Sequence, residues 1–171
     1  MNTVLNRYYQ VLMALACLSM LAAFGSIMLG VAAREMRWDI QGLDAYAGYS
    51  IAAALFLALP STLRQGDHIR VTLLMNKLSS KVQNAMEHFC LAMACGVTAY
   101  VAWYACRLVW VSYVTHDVSP GADASPLWIP QLSMAVGCIG FFVAFVHAWV
   151  ARMQGSAFFV VNASGEMART E

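Results

Sequence analysis

Five cysteines, four histidines and a thin scatter of charges are the residues here whose types could do chemistry. Paired cysteines in loops outside the membrane would point to disulfide exchange. Here Cys17, Cys90, Cys95, Cys106 and Cys138 all fall within apolar runs, form no C-x-x-C pair and are odd in number, so they read as small core residues. Histidines on facing helices could hold a haem by axial ligation. His88 and His147 fall near the same end of their runs, while His68 and His116 lie in or beside connections. All four stand at run ends, where a polar ring also serves as an interfacial anchor, so both readings stay open. A pump or ion-coupled carrier needs a carboxylate along its path. No run has an acid in its middle: Asp44 opens the second and Glu87 precedes the third. Arg107 is the one interior cation, and counting from Phe89 places it near the far end of its run, where it can snorkel toward headgroups. This chain alone is therefore not expected to couple ions to transport, which also weighs against a self-contained small exporter.

The elements that must position these residues follow from composition. Of 171 residues, 61% are hydrophobic, only 11% are charged, and the net charge is +1. The mean hydropathy is +0.62. Soluble domains carry about 25% charged residues, so this chain has too little polar surface to coat a water-soluble globule. Disorder and nucleic-acid binding are excluded on the same ground. Charge-free runs cover residues 8–33, 45–63, 89–115 (broken only by Arg107) and 124–146. A bilayer core of about 30 Å takes roughly 20 helical residues, and only helices or closed barrels satisfy their backbone there. The fold expected is an all-α integral membrane protein, a single four-helix domain over 1–153. Its spans are placed at about 8–33, 44–63, 87–115 and 126–150. Val31-Ala32-Ala33 resembles a signal cleavage site, but the first run far exceeds the roughly 7–15 residues of a signal core. It reads as an uncleaved helix.

Basic residues set the expected orientation. Arg7, Arg64, Arg70, Lys77, Lys81, Arg152 and Arg169 fall on one side, and Arg34 and Arg37 on the other. The positive-inside rule then puts both termini in the cytoplasm. Between the second and third spans, Val71, Leu74, Met75, Leu78, Val82, Ala85 and Phe89 recur at helical spacing, with basic residues on another face. An amphipathic interfacial helix over about 69–86, lying against anionic headgroups, is expected. The outer connection after the third span holds Ser119-Pro120-Gly121 and Pro126, an ordered loop, with Tyr113 and Trp128 in an aromatic belt. The tail, 154–171, is expected to be flexible. Small residues repeat every four positions at Ala22, Ser26 and Gly30, at Ala92 and Gly96, and at Gly140, Ala144 and Ala148. They suit close helix packing, within the bundle or against a partner.

The stretch Leu63-Arg64-Gln65-Gly66-Asp67-His68-Ile69-Arg70-Val71 resembles the G-x-H-I-x-V signature of the small membrane subunit, the DctQ type, of tripartite ATP-independent periplasmic (TRAP) transporters. Arg34 closing the first span, Trp38 after it and the acidic Asp44 opening the second extend the likeness. So do Pro126, Trp128, Pro130, Gln131 and Gly137. The family often has a Trp-Ser-Glu-Glu run where this chain has Trp38-Asp39-Ile40-Gln41, so Asp44's role does not carry over directly. The resemblance covers roughly residues 5 to 150. It implies a non-catalytic subunit without cofactors in a bacterial inner membrane. It would brace a large permease subunit of the DctM type, while a periplasmic solute-binding protein of the DctP type delivers a carboxylate-type solute. On this reading Gly66 permits a tight turn. Arg64, His68 and Arg70 meet lipid, partner or the local turn. Arg34, Arg37, Trp38, Asp44, Trp128, Pro130 and Gln131 face the outer side, against the binding protein or the interface. A haem-binding anchor of a respiratory complex remains the alternative.

Overall fold

A computed structural model describes residues 3–38, 40–65, 80–121 and 124–154. Four helices account for nearly all of them: α1 (Thr3–Glu35), α2 (Leu43–Gln65), α3 (Ser80–Val114) and α4 (Trp128–Met153). Each is long and apolar enough to cross a membrane. No strand is present among the described residues, where Val118 and Pro126 form one isolated bridge. α1 and α2 outrun their charge-free segments at both ends, α3 only at its start and α4 only at its finish, since hydrocarbon dictates only the part that spans. The expected interfacial helix over 69–86 lies mostly outside the described residues, and α3 takes in its last turns from Ser80 onward.

The packing is a row. α1 packs on α2, α2 on α4, and α4 on α3, with no extensive contact between α1 and α3 among the described residues. Burial follows this order: 39% of the most apolar window is buried in α2 and in α4, against 17% in α1 and 22% in α3. α2 and α4 are thus the centre and α1 and α3 the edges. One end of the row carries Arg64, Glu87 and Arg152; the other, here the distal end, carries Arg34, Asp44 and Trp128.

The central crossing depends on a proline and two glycines. Pro60, inside α2 and fully buried, has no N–H to give to the carbonyl of Phe56. Gly137 of α4 lies against that same carbonyl: a Cβ there would sit 2.5 Å from the Phe56 oxygen. Its bare Cα lets α4 cover a polar group that α2 leaves open, as membrane helices with proline require. One turn on, a Cβ at Gly140 would come within 2.9 Å of Leu12 and 3.0 Å of Pro60, so α1, α2 and α4 all meet there. Ala144 and Ala148 continue the same face into the core. The α4 repeat of small residues therefore serves internal packing.

At the distal end α1 stops with Arg37 in the left-handed region, φ 55°, and the Trp38 N–H donates to the Ala33 carbonyl. α3 stops the same way, with His116 at φ 53° and the Asp117 N–H on the Ser112 carbonyl. These are Schellman stops, with non-glycine residues where glycine is usual. The loop after α3 is cross-tied by the Ser119 N–H to the Ser125 carbonyl and the Leu127 N–H to the Asp117 carbonyl. Tyr49 of α2 donates to Ser119 Oγ at 2.7 Å and pins this loop on the row.

Gly137→Ala is expected to force α2 and α4 apart and to lower stability by about 1–3 kcal/mol. Gly25→Ala, where a Cβ meets nothing within 4 Å, should be neutral or stabilising by up to about 1 kcal/mol. Thermal unfolding of the purified chain in mild detergent checks both.

Candidate functional site

Two polar groups of residues close the ends of the row, and neither resembles a catalytic centre. At the basic end Tyr9 of α1 is buried between helices. The Arg64 guanidinium lies over its ring, 5.5 Å from the centroid. Its hydroxyl stands 3.4 Å from Nδ1 of His147 on α4, and the two rings are nearly parallel, 9° apart. Ser61 of α2 donates to the Tyr9 carbonyl at 3.3 Å. An aromatic face attracts the cation while its hydroxyl meets the imidazole, so one side chain ties α1, α2 and α4. Arg152 and Glu87 form an ion pair beside this cluster and add α3. Arg64, expected to meet lipid, partner or the local turn, is half-buried against the Tyr9 ring, with its Nε buried and unpartnered among the described residues. His147, one of the two histidines considered for axial ligation, stands against Tyr9. No group of three or more His, Cys, Asp or Glu side chains is placed to hold a metal among the described residues.

At the distal end Arg34 and Asp44 meet, Nη2 to Oδ2 at 3.2 Å, and bridge α1 to α2 across their connection. Both side chains are well exposed, so the pair contributes about 0–1 kcal/mol. Arg37 and Trp38 project beside it, exposed. Trp128 opens α4 and meets Tyr113 edge-on, ring centroids 5.7 Å apart. Pro130 sits in the first turn of α4, where its missing N–H does no harm. Gln131 is half-buried, its Oε1 without a described partner. Below these residues the outer halves of α1, α2 and α4 part around an open cleft of about 550 Å³, lined by Leu18, Ala22, Tyr49, Ala53, Ile129 and Pro130 among others.

The structure therefore joins Arg34 with Asp44, and sets Arg37, Trp38, Trp128, Pro130 and Gln131 at the same end. Arg64 stands at the opposite end. Gly66, His68 and Arg70 lie outside the described residues. Sequence reading missed Tyr9 and Tyr49, and placed Ser119 in an ordered loop without its partner on α2. Tyr9 and His147 are 138 positions apart, and nothing local in either segment marks the pairing.

A sequence model of the family described as "Tripartite ATP-independent periplasmic transporters, DctQ component" matches residues 23–155, well over half of the chain. No curated protein and no solved structure matches it.

Tyr9→Phe should cost at most about 1 kcal/mol, because the ring stays under Arg64 and only a long hydrogen bond is lost. Tyr9→Ala should cost about 3–5 kcal/mol, the range for emptying an aromatic site. Denaturation in detergent, followed by intrinsic tryptophan fluorescence, reads the difference.

Proposed function

The chain belongs to the DctQ family of tripartite ATP-independent periplasmic transporter components, and on that premise we propose that it is a non-catalytic brace for the large permease subunit. It is a multi-pass membrane protein and a small permease component of such a transporter. On this reading the large subunit, of the DctM type, carries the substrate and ion sites. A periplasmic binding protein of the DctP type delivers a carboxylate-type solute. The membrane is the bacterial inner membrane, and the seven basic residues on one side set both termini in the cytoplasm.

The observation that carries the bracing role is the row itself. A carrier built from one such chain would need a polar path enclosed between helices. Here the central helices close on each other through Pro60, Gly137 and Gly140, and no carboxylate lies inside the apolar spans. The edges instead leave long apolar faces uncovered. Such a shape suits lateral attachment to a larger membrane protein. The distal residues Arg34, Arg37, Trp38, Trp128, Pro130 and Gln131 then face the periplasm, where the loaded binding protein would dock.

Arg37 offers a clean test of that docking face. It occupies a left-handed position that favours glycine, so Arg37→Gly should leave stability and assembly intact. It should weaken docking of the binding protein several-fold and flatten the salt dependence of docking. Unchanged docking would remove Arg37 from the interface. The bracing role is tested by purifying the tagged chain in mild detergent from its native membranes. A large multi-spanning permease is expected in equal amount. Deleting this chain should abolish uptake while the large subunit's ligand sites stay intact.

A further inference from the structure

The two edges of the row differ in chemistry. The outer face of α1 exposes Leu21, Phe24 and Met28, as a lipid-facing helix does. The outer face of α3 exposes Tyr100, Trp103, Tyr104, Arg107 and Trp110. At 100° per residue these five fall within about 60° of Arg107, on one face. Residues of α3 that meet α4, Ala102 and Ala105 among them, point away from that face. No hydrogen bond or ion pair joins Arg107 to another described residue.

The depth of Arg107 makes the contrast informative. Counting back from the distal end sets it seven residues inside the apolar span Ala85–Val114. Glu87 already pairs with Arg152, 24 residues past Trp128 on α4, and about 36 Å of helix separates those two. Tyr113, packed on Trp128, marks the distal rim. Arg107 is six residues before Tyr113, so its Cα lies about 9 Å deeper. Neighbouring Ala102 and Ala105 pack with Ala135 and Cys138 of α4 and with Phe56. Phe56 is about 18 Å along α2 from Asp44. The Arg107 backbone thus stands inside the apolar span, on the uncovered side of an edge helix. A guanidinium at such a depth normally faces protein or water rather than acyl chains. Trp, Tyr and Arg together are also the residues that anchor protein interfaces.

We propose that the outer face of α3, centred on Trp103, Arg107 and Trp110, is the face that docks on the large membrane subunit, through a spanning helix that presents a carboxylate or a free backbone carbonyl to Arg107. The α1 edge faces lipid. This inference rests on the reading that the chain assembles with a large subunit.

The test uses the complex in native membranes. A photo-crosslinking phenylalanine analogue is placed at Trp103 or Trp110 and, for comparison, at Leu21 or Phe24. Cross-links to the large subunit from 103 and 110, and none from 21 and 24, are expected. Arg107→Glu should lower recovery of the large subunit at least ten-fold, and Arg107→Lys should retain most of it. The cross-links are read with Arg107 intact, so they stand even where the charge-reversed chain fails to accumulate. Cross-links from 21 and 24 instead would overturn the assignment of the face and leave the bracing role in place. Lipid adducts alone at 103 and 110, with the large subunit still co-purifying, would show Arg107 snorkelling to headgroups and overturn it equally. Absence of the large subunit from the purified wild-type chain would remove the bracing role, and this inference with it.

Discussion

The carbonyl of Phe56 is the group on which the row depends. Pro60 denies it the hydrogen bond that the helix would supply, and hydrocarbon offers no water in exchange. The protein's answer is to bring a glycine of the neighbouring helix against it. That contact sets α2 and α4 close together at mid-span. The Leu12 side chain of α1 fits over Gly140 one turn away, while Ala102 and Ala105 of α3 settle beside Cys138. The two edge helices are thus placed by a crossing that neither of them makes.

Much of this was legible, and the illegible parts have physical reasons. Charge-free runs mark four spans because burying a charge in hydrocarbon is costly, and a helix covers most of each run. The same logic is blind to where a helix goes on past the membrane, so the nine residues of α3 before Phe89 have no charge-free run to announce them. The small residues Gly140, Ala144 and Ala148 announced close packing, but their spacing does not name the neighbour. A square bundle and a row use the same repeats. Tyr9 was unreadable because its partners Arg64 and His147 come from two other helices. Arg34 and Asp44 were marked by resemblance, and their ion pair supplies a local reason for the two to occur together.

Strain and function separate neatly at the distal end. Arg37 and His116 both hold backbone conformations that glycine would adopt at lower energy. Both stop a long helix at the same side of the membrane. The Tyr49–Ser119 hydrogen bond keeps the loop after α3 on the central helix α2, while Arg34, Arg37 and Trp38 reach the same surface from the end of α1. A surface of this kind can be touched by a soluble protein without disturbing the crossing beneath it.

The row also has a mechanical consequence. Neighbouring helices pack about 8–10 Å apart, so the two outer axes stand at most roughly 25–30 Å from each other, and less where α1 also touches α4. With a partner attached along one edge, as proposed, such an arrangement would act as an outrigger. A load applied along one edge is resisted by the bilayer at the other, with the full width as the lever arm. Rotation within the plane of the row is strongly opposed, whereas flexing about the seam between adjacent helices is not. Directional stiffness of this sort comes from arrangement alone and requires no chemistry from any side chain.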